Sequence, residues 1–252
     1  MPDFSQDKLK EQLRYDRRVQ VARVKNLQLG SCLMPKGLAA PYRAYEAAIR
    51  KYISSGQKVL ELGAGQGEHS LSILQQDAYL TALDISEKSL AALYSAVPEA
   101  YKSKVTPLKG DMEFPNVPKQ SFDAVVSAGA MSYADRDNLI TMLSQVLRSG
   151  GWFIAVDSWN HNPIYRFNRW RHFRRGDRTE MTLLNMPNKR TLDLLQKNFS
   201  IETRYFGCLT FMCPLLRPFL SAQKIETLLR IFDVILPGRI LAFKVLIIAQ
   251  KK

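Results

Sequence analysis

The stretch Val59-Leu60-Glu61-Leu62-Gly63-Ala64-Gly65-Gln66-Gly67-Glu68 constrains this chain more than any other. It reads as a buried β-strand running straight into a glycine-rich turn, with a helix from Glu68 to about Gln75. Glycines at alternate positions permit positive φ and remove the Cβ atoms that would hold a ligand off the backbone. The helix N-terminus then offers unpaired N–H groups to whatever lies there. A turn of this kind belongs to a nucleotide-type ligand site, so an adenosine-containing cofactor is expected.

The spacing decides which one. A dinucleotide fingerprint is G-x-G-x-x-G after a strand. Here the third glycine falls at Gly67, and Glu68 stands where the fingerprint has glycine. An acid at the helix start disfavours a pyrophosphate, and with it a nicotinamide dehydrogenase. A zwitterionic ligand without phosphate suits the turn better. Residues Glu61 to Gly67 resemble the first motif of class I S-adenosylmethionine-dependent methyltransferases.

Four later segments follow in the order that resemblance implies. Leu80 to Ser86 is an apolar run ending in Asp84, 21 positions after Gly63, where an α/β nucleotide site places an acid on the ribose hydroxyls. Val105 to Met112 is a third strand ending in an acid; the resemblance implies that Asp111 accepts from the adenine amino group and that Met112 lies on the ring. Ser121 to Met131 is a fourth strand with its exit turn, and Leu147 to Val156 a helix end, Gly-Gly turn and fifth strand. The implied cofactor set is Glu61, Gly63, Ala64, Gly65, Gln66, Asp84, Ile85, Asp111, Met112, Ala128 and Met131, with no metal. Taken singly each piece has a plainer reading. The glycines can be a tight turn, Asp84 can precede a Ser86-capped helix over Glu87 to Tyr94, and Asp111 can be a turn aspartate. Together they fall at strand carboxyl ends, where open α/β sheets bind ligands.

The expected fold is therefore α/β, Rossmann-like and doubly wound, with a mostly parallel seven-stranded sheet and an antiparallel last strand. Ser200 to Phe206 and Leu241 to Ala249 read as its last two strands. At 252 residues, 46% of them hydrophobic, the chain suits one large α/β domain. Residues 1–44 read as an N-terminal helical cap and 45–252 as the methyltransferase domain, with lid insertions at about 158–188 and 207–238. Three cysteines, Cys32, Cys208 and Cys213, lack metal-ligand spacing and suggest a reducing compartment. The charged start has no apolar leader core, and the apolar stretch Ile231 to Ala249 is broken by Asp233, Pro237, Gly238, Arg239 and Lys244. A cytoplasmic location is expected, with peripheral contact at the inner membrane face.

The net charge of +13 attracts nucleic acid, anionic lipid or acidic and phosphorylated glycans, unless it is only a basic surface. One cluster comprises Lys8, Lys10, Arg14, Arg17, Arg18, Arg23 and Lys25 among Leu9, Leu13, Val21 and Val24, read as an amphipathic helix. Gly30, Pro35, Gly37 and Pro41 form an irregular link to a second helix, Tyr42 to Ile53. Another cluster follows the fifth strand, where six arginines and five aromatics lie between Trp159 and Arg178. Pro163 after Asn162 marks a helix start. Interleaved arginine and aromatics can stack bases, as in an RNA methyltransferase. With no RNA-binding module evident, a lid whose arginines face an anionic acceptor is favoured. Arg166, Arg169, Arg171 and Arg178, with Tyr133 after the fourth strand, are the expected acceptor contacts, since guanidinium forks suit carboxylates and phosphates. The run Asn162 to Arg169 with Arg178-Thr179 is similar to bacterial methyltransferases of polysaccharide biosynthesis clusters. That resemblance implies O-methylation of an acidic or lipid-linked saccharide. A quinone or natural-product methyltransferase and a non-catalytic S-adenosylmethionine-binding protein are the alternatives. Phe206 to Leu236 reads as buried lid helices or as an interfacial surface.

An alcohol acceptor must lose a proton. Of three histidines, His161 follows the fifth strand by a few residues and is the expected base. Asp157 and Tyr165 are its rivals. His69 is expected to cap or pack near the cofactor, and His172 sits among arginines that would depress its pKa.

Overall fold

The computed structural model describes residues 5–21, 26–34 and 38–252. Arg23, Val24, Lys25, Pro35 and Gly37 lie outside them. A seven-stranded sheet organises the chain in the order β3-β2-β1-β4-β5-β7-β6. Its strands are β1 (Lys58–Leu62), β2 (Tyr79–Asp84), β3 (Val105–Lys109), β4 (Phe122–Ala128), β5 (Leu147–Ser158), β6 (Phe199–Phe206) and β7 (Lys244–Lys251). β1, β2, β3, β4 and β5 pair in parallel, and β7 runs antiparallel to both β5 and β6. The expected sheet is thus present.

Strands in the middle of such a sheet are apolar on both faces because helices cover each side. Val59, Ala124, Val126, Ile154 and Val156 point to one face, where α3 (Ala40–Tyr52), the short α4 (Leu71–Leu74) and α5 (Glu87–Ala96) supply Tyr45, Ile49, Ile73 and Leu93. Leu60, Leu62, Val125, Phe153 and Ala155 point to the other, under α7 (Arg136–Val146) and α10 (Lys189–Asn198) with Leu139, Leu143, Leu192 and Leu195. The four-residue helices α2 (Gly30–Leu33) and α6 (Glu99–Lys102) lie in the connections before α3 and β3.

Two local expectations need correction. The helix after the glycine turn begins at Leu71, because residues 64–70 close as turns: Gly67 N–H donates to Ala64 O and Ser70 N–H to Gly67 O. Residues 147–151 belong to β5, bulged between the pairs Phe122–Leu147 and Ala124–Trp152, with Gly150 at φ 76° absorbing the extra residues.

The expected insertions fold as helices. α8 (Pro163–Arg174) starts under an Asn162 cap that accepts from Ile164 N–H, and α9 (Glu180–Leu184) follows it. The later insertion holds α11 (Cys213–Leu216), α12 (Ala222–Ile235) and α13 (Gly238–Leu241). The N-terminal α1 (Ser5–Val21) crosses the carboxyl ends of β2, β3 and β4, as the contacts below establish. Among the described residues, no helix is long and apolar enough to cross a membrane.

Candidate active site

The carboxyl ends of β1, β2, β3 and β4 surround a cavity of about 320 Å³. Gly63, Ala64 and Gly65 line it after β1, Asp84 and Ile85 after β2, Gly110, Asp111 and Met112 after β3, and Ala128, Gly129 and Ala130 after β4. α1 closes the top with Lys8, Glu11 and Tyr15.

The glycine turn is shaped by what its neighbours leave free. Gly63 takes φ 65°, and a Cβ there would stand 2.6 Å from that of Ala130. A Cβ on Gly65, at φ 57°, would strike the Glu68 carboxylate at 2.7 Å. That carboxylate accepts from Gln66 N–H at 3.0 Å. The Gln66 amide of the turn is therefore already satisfied by an internal acid, and the place a pyrophosphate would take is negative.

Asp84 ties two loops together, accepting from Gly65 N–H at 2.9 Å and Ser86 N–H at 2.8 Å. Burial nonetheless keeps its pKa above the ordinary aspartate value. Glu61 lies behind the cavity wall, fully buried. Burial pushes its pKa up to about 8; a 2.6 Å bond from the Ser70 hydroxyl opposes the rise, and the charges of Glu68 and Asp84 add to it. Three carboxyl groups this close favour a cation among them.

Asp111 accepts from Lys8 Nζ at 2.6 Å, and the same ammonium lies 2.5 Å from Glu113. Burial alone would lower the Lys8 pKa, but the two carboxylates outweigh it and raise it. Asp16 on α1 accepts from Ser86 Oγ at 2.6 Å. α1 is thus fastened to the ends of β3 and β2.

At the β4 end, Tyr133 is a hub. Its hydroxyl oxygen accepts from Arg14 at 3.3 Å and Arg178 at 3.0 Å, and lies 3.2 Å from the Tyr15 hydroxyl. A wider, open cleft continues outward from here, between α1 and residues 173–180, lined by Lys10, Arg14, Arg17 and Arg178 but also by Asp7, Glu11, Asp177 and Glu180. Met34, His69 and Met181 complete the inner cavity. His69 stacks on Tyr42, rings 5.2 Å apart and 6° from parallel, and its buried Nδ1 has no partner among the described residues. Burial, helped by the Lys244 charge, lowers its pKa to about 4, so the imidazole is neutral at physiological pH.

With this geometry in place, likenesses to known proteins gain meaning. Residues 59–151 match the family described as "Methyltransferase domain". Residues 59–151 carry the fold and motifs of a class I S-adenosylmethionine-dependent methyltransferase domain. The chain is similar to an uncharacterized methyltransferase of Synechocystis sp., 35% identical over 114 residues, covering 44% of this chain and 50% of that one. It is also similar to the demethylmenaquinone methyltransferase of Thermobifida fusca, 31% identical over 128 residues, covering 50% and 53%. The chain thus spans about half the length of these relatives. Among solved structures, geranyl diphosphate C-methyltransferase from Streptomyces coelicolor, in complex with S-adenosyl-L-homocysteine, shares the fold: TM-score 0.59, 16% identity, 83% of this chain and 79% of that one. YcgJ from Bacillus subtilis does so at TM-score 0.58 and 15% identity, covering 84% and 99%.

The walls of the methyltransferase domain fit S-adenosylmethionine. Asp84 keeps free lone pairs for ribose hydroxyls, the Glu61, Glu68 and Asp84 carboxyls suit an ammonium and a sulfonium, and Asp111 with Met112 stands at the far end. Eight expected cofactor residues line the cavity: Gly63, Ala64, Gly65, Asp84, Ile85, Asp111, Met112 and Ala128. Glu61 lies behind its wall, Gln66 lines the outer cleft, and Met131 is buried with its N–H donated to Asp157.

The expected catalytic trio is not brought to the cavity. Asp157 is buried, accepting from Met131 N–H at 2.9 Å and Ser158 N–H at 2.5 Å, so it braces the β4 exit turn against β5. Tyr165 packs on Phe243 and donates to Gly207 O at 3.2 Å, and burial pushes its pKa up to about 12. His161 packs on Trp159, facing Arg166, Arg239 and Lys189, outside the cavity walls. His172 pairs with Asp177 at 3.0 Å rather than lying free among arginines.

Of the expected acceptor contacts, Tyr133 and Arg178 meet at the site. Arg166 and Arg171 are exposed on α8 and line neither cavity nor cleft. Arg169 is largely buried beneath them; it donates to Trp159 O at 3.1 Å while its Nη2 finds no partner among the described residues. Burial lowers its pKa to about 10, Asp157 opposes that, and the charge of Arg178 adds to it. Sequence reasoning passed over Lys8, Glu11, Tyr15, Met34 and Met181 as cavity residues. The regular spacing of α1 was the available signal, but it reads equally as a solvated amphipathic helix.

Proposed function

We propose that the protein methylates an oxygen of a small acceptor carrying a carboxylate or phosphate, of which an acidic or lipid-linked saccharide is the favoured class. The carrying observation is the convergence of Arg14 and Arg178 on Tyr133, where the cofactor cavity opens into the outer cleft. Arg169, with an unpartnered Nη2 and close enough to Arg178 to feel its charge, supports an anion between the two. The cleft's own acids argue against a polyanion such as RNA and for a single small anionic group.

When bound, S-adenosylmethionine supplies an electrophilic methyl group. The chain's task is to hold the acceptor oxygen in line with it, about 3 Å away. α1 excludes water from above, Tyr133 and the guanidinium groups orient the acceptor, and neutral His69 can take its proton, becoming positive only as methyl transfer discharges the sulfonium to a neutral thioether. The relatives and neighbours bear names of quinone and small-molecule methyltransferases rather than saccharide ones. A quinone-type acceptor is therefore the second reading, favoured by the apolar wall of Met34, Leu83 and Met181. Labelled methyl donor incubated with fractionated cell extract, followed by identification of the labelled product, tests both. Labelling of a neutral product lacking any carboxylate or phosphate would overturn the first.

A further inference from the structure

The two insertions expose apolar side chains that neither the core nor the site uses. On α8, Phe167 and Trp170 are 64% and 50% exposed and stack on each other, ring centroids 5.8 Å apart. In the later insertion Leu215, Phe219, Val234 and Ile235 are 69%, 83%, 82% and 70% exposed. Tyr165 joins the two insertions, since its hydroxyl donates to Gly207 O and its ring packs on Phe211. Large apolar groups left exposed in this number on joined helical segments mark an interaction surface.

The charge left unpaired in these segments is positive. Residues 163–175 hold five arginines and no acid. The acids of 207–241 are Glu226 and Asp233. Glu226 is taken by Arg43, and Asp233 by the N–H groups of Gly207 and Cys208. Arg166, Arg217 and Arg239 are exposed with no ion pair among the described residues.

We propose that these helices seat the protein on an anionic lipid bilayer. Aliphatic and aromatic groups enter the boundary between headgroups and acyl chains, while the arginines meet lipid phosphates. A second copy of the chain would set this positive surface against itself. A nucleic acid would answer the arginines but leave Leu215, Val234 and Ile235 in water. An anionic bilayer answers both, and the proposal stands independently of which acceptor is methylated.

Co-sedimentation of the full chain with vesicles of equimolar phosphatidylcholine and phosphatidylglycerol tests it, against phosphatidylcholine alone. Binding to the mixed vesicles is expected, weakening as salt rises. The double variant Phe219→Ser, Val234→Ser should bind at least about tenfold more weakly, since two buried side chains of this size are lost. Because both positions are more than four-fifths exposed, the fold should survive, as an unchanged melting curve would verify. Arg217→Glu should cost more than about fivefold, the value of removing one surface cation. Absence of binding to the mixed vesicles would overturn the proposal, as would equal binding by the double variant. So would light scattering that finds a dimer which the double variant abolishes.

Discussion

Lys8 Nζ lies 2.6 Å from Asp111 Oδ2 and 2.5 Å from Glu113 Oε1, so a single ammonium joins α1 to the loop after β3. Glu113 in turn accepts from Asp135 N–H and Asn138 at the start of α7. Lys8→Met leaves two adjacent carboxylates without their cation. A stability loss of about 1.5–3 kcal/mol is expected, the range for hydrogen bonds to charged groups. Denaturant unfolding measures it, and limited proteolysis should cut α1 sooner. Lys8→Arg should recover most of the loss.

Asp84 should separate cofactor binding from folding. Asp84→Ala removes two bonds to backbone N–H groups and, on the proposed reading, the acceptor for ribose hydroxyls. Calorimetry with S-adenosylhomocysteine should register affinity about 10–100-fold weaker, while circular dichroism stays native. Binding unchanged in both Asp84→Ala and Gly65→Trp would mean that the ligand sits elsewhere.

Glu61 gives the ligand-free protein a particular pH dependence. Its folded pKa of about 8 lies above the ordinary 4.5, so between those values the folded state holds a proton the unfolded chain has released. Stability then falls as pH rises toward 8. His69 acts in the opposite direction: with its pKa lowered from 6.5 to about 4, the unfolded chain holds the extra proton, and stability falls as pH drops through that window. The two effects oppose each other from 4.5 to 6.5, and from 6.5 to 8 the Glu61 slope stands alone between them. Urea midpoints should decline across that upper window in the native sequence, and Glu61→Gln should flatten the decline.

Two histidine variants distinguish the proton acceptors. His161→Ala should leave turnover within about twofold, since surface changes away from a site are small. His69→Gln should lower kcat by about 10²-fold or more, with KM for the methyl donor little changed. Equal turnover in His69→Gln and the native enzyme would remove His69 from the chemistry.

Arg178→Ala and Tyr133→Phe should raise the acceptor KM by about tenfold while leaving S-adenosylhomocysteine affinity intact, since the paired side chains lie at the end of the cavity where the acceptor is proposed to bind. Calorimetry beside steady-state kinetics makes the separation.

The cavity walls at the strand ends were legible because their signals are local. A glycine turn and an acid at each strand end need only a few residues of context, and Gly63, Asp84 and Asp111 meet because parallel strands align their carboxyl ends. The expected catalytic trio lies off the cavity because proximity to β5 in sequence does not fix direction. Trp159 is fully buried, its indole N–H donates to Arg239 O, and Asn160 N–H donates to Pro187 O. These bonds turn the chain so that His161 faces α13 instead of the cavity. Lys8 was illegible for another reason: its partner Asp111 is 103 residues away, and no periodicity reports so distant a pairing.

β7 is hydrogen-bonded along both edges, to β5 on one side and β6 on the other. Neither neighbour can complete its pairing until this segment arrives, and Trp152 meets Gln250 across almost a hundred intervening positions. Closing so large a loop is a slow event. A refolding intermediate should therefore hold β1 to β5 with two raw strand edges, and at high protein concentration those edges are where one molecule would capture another.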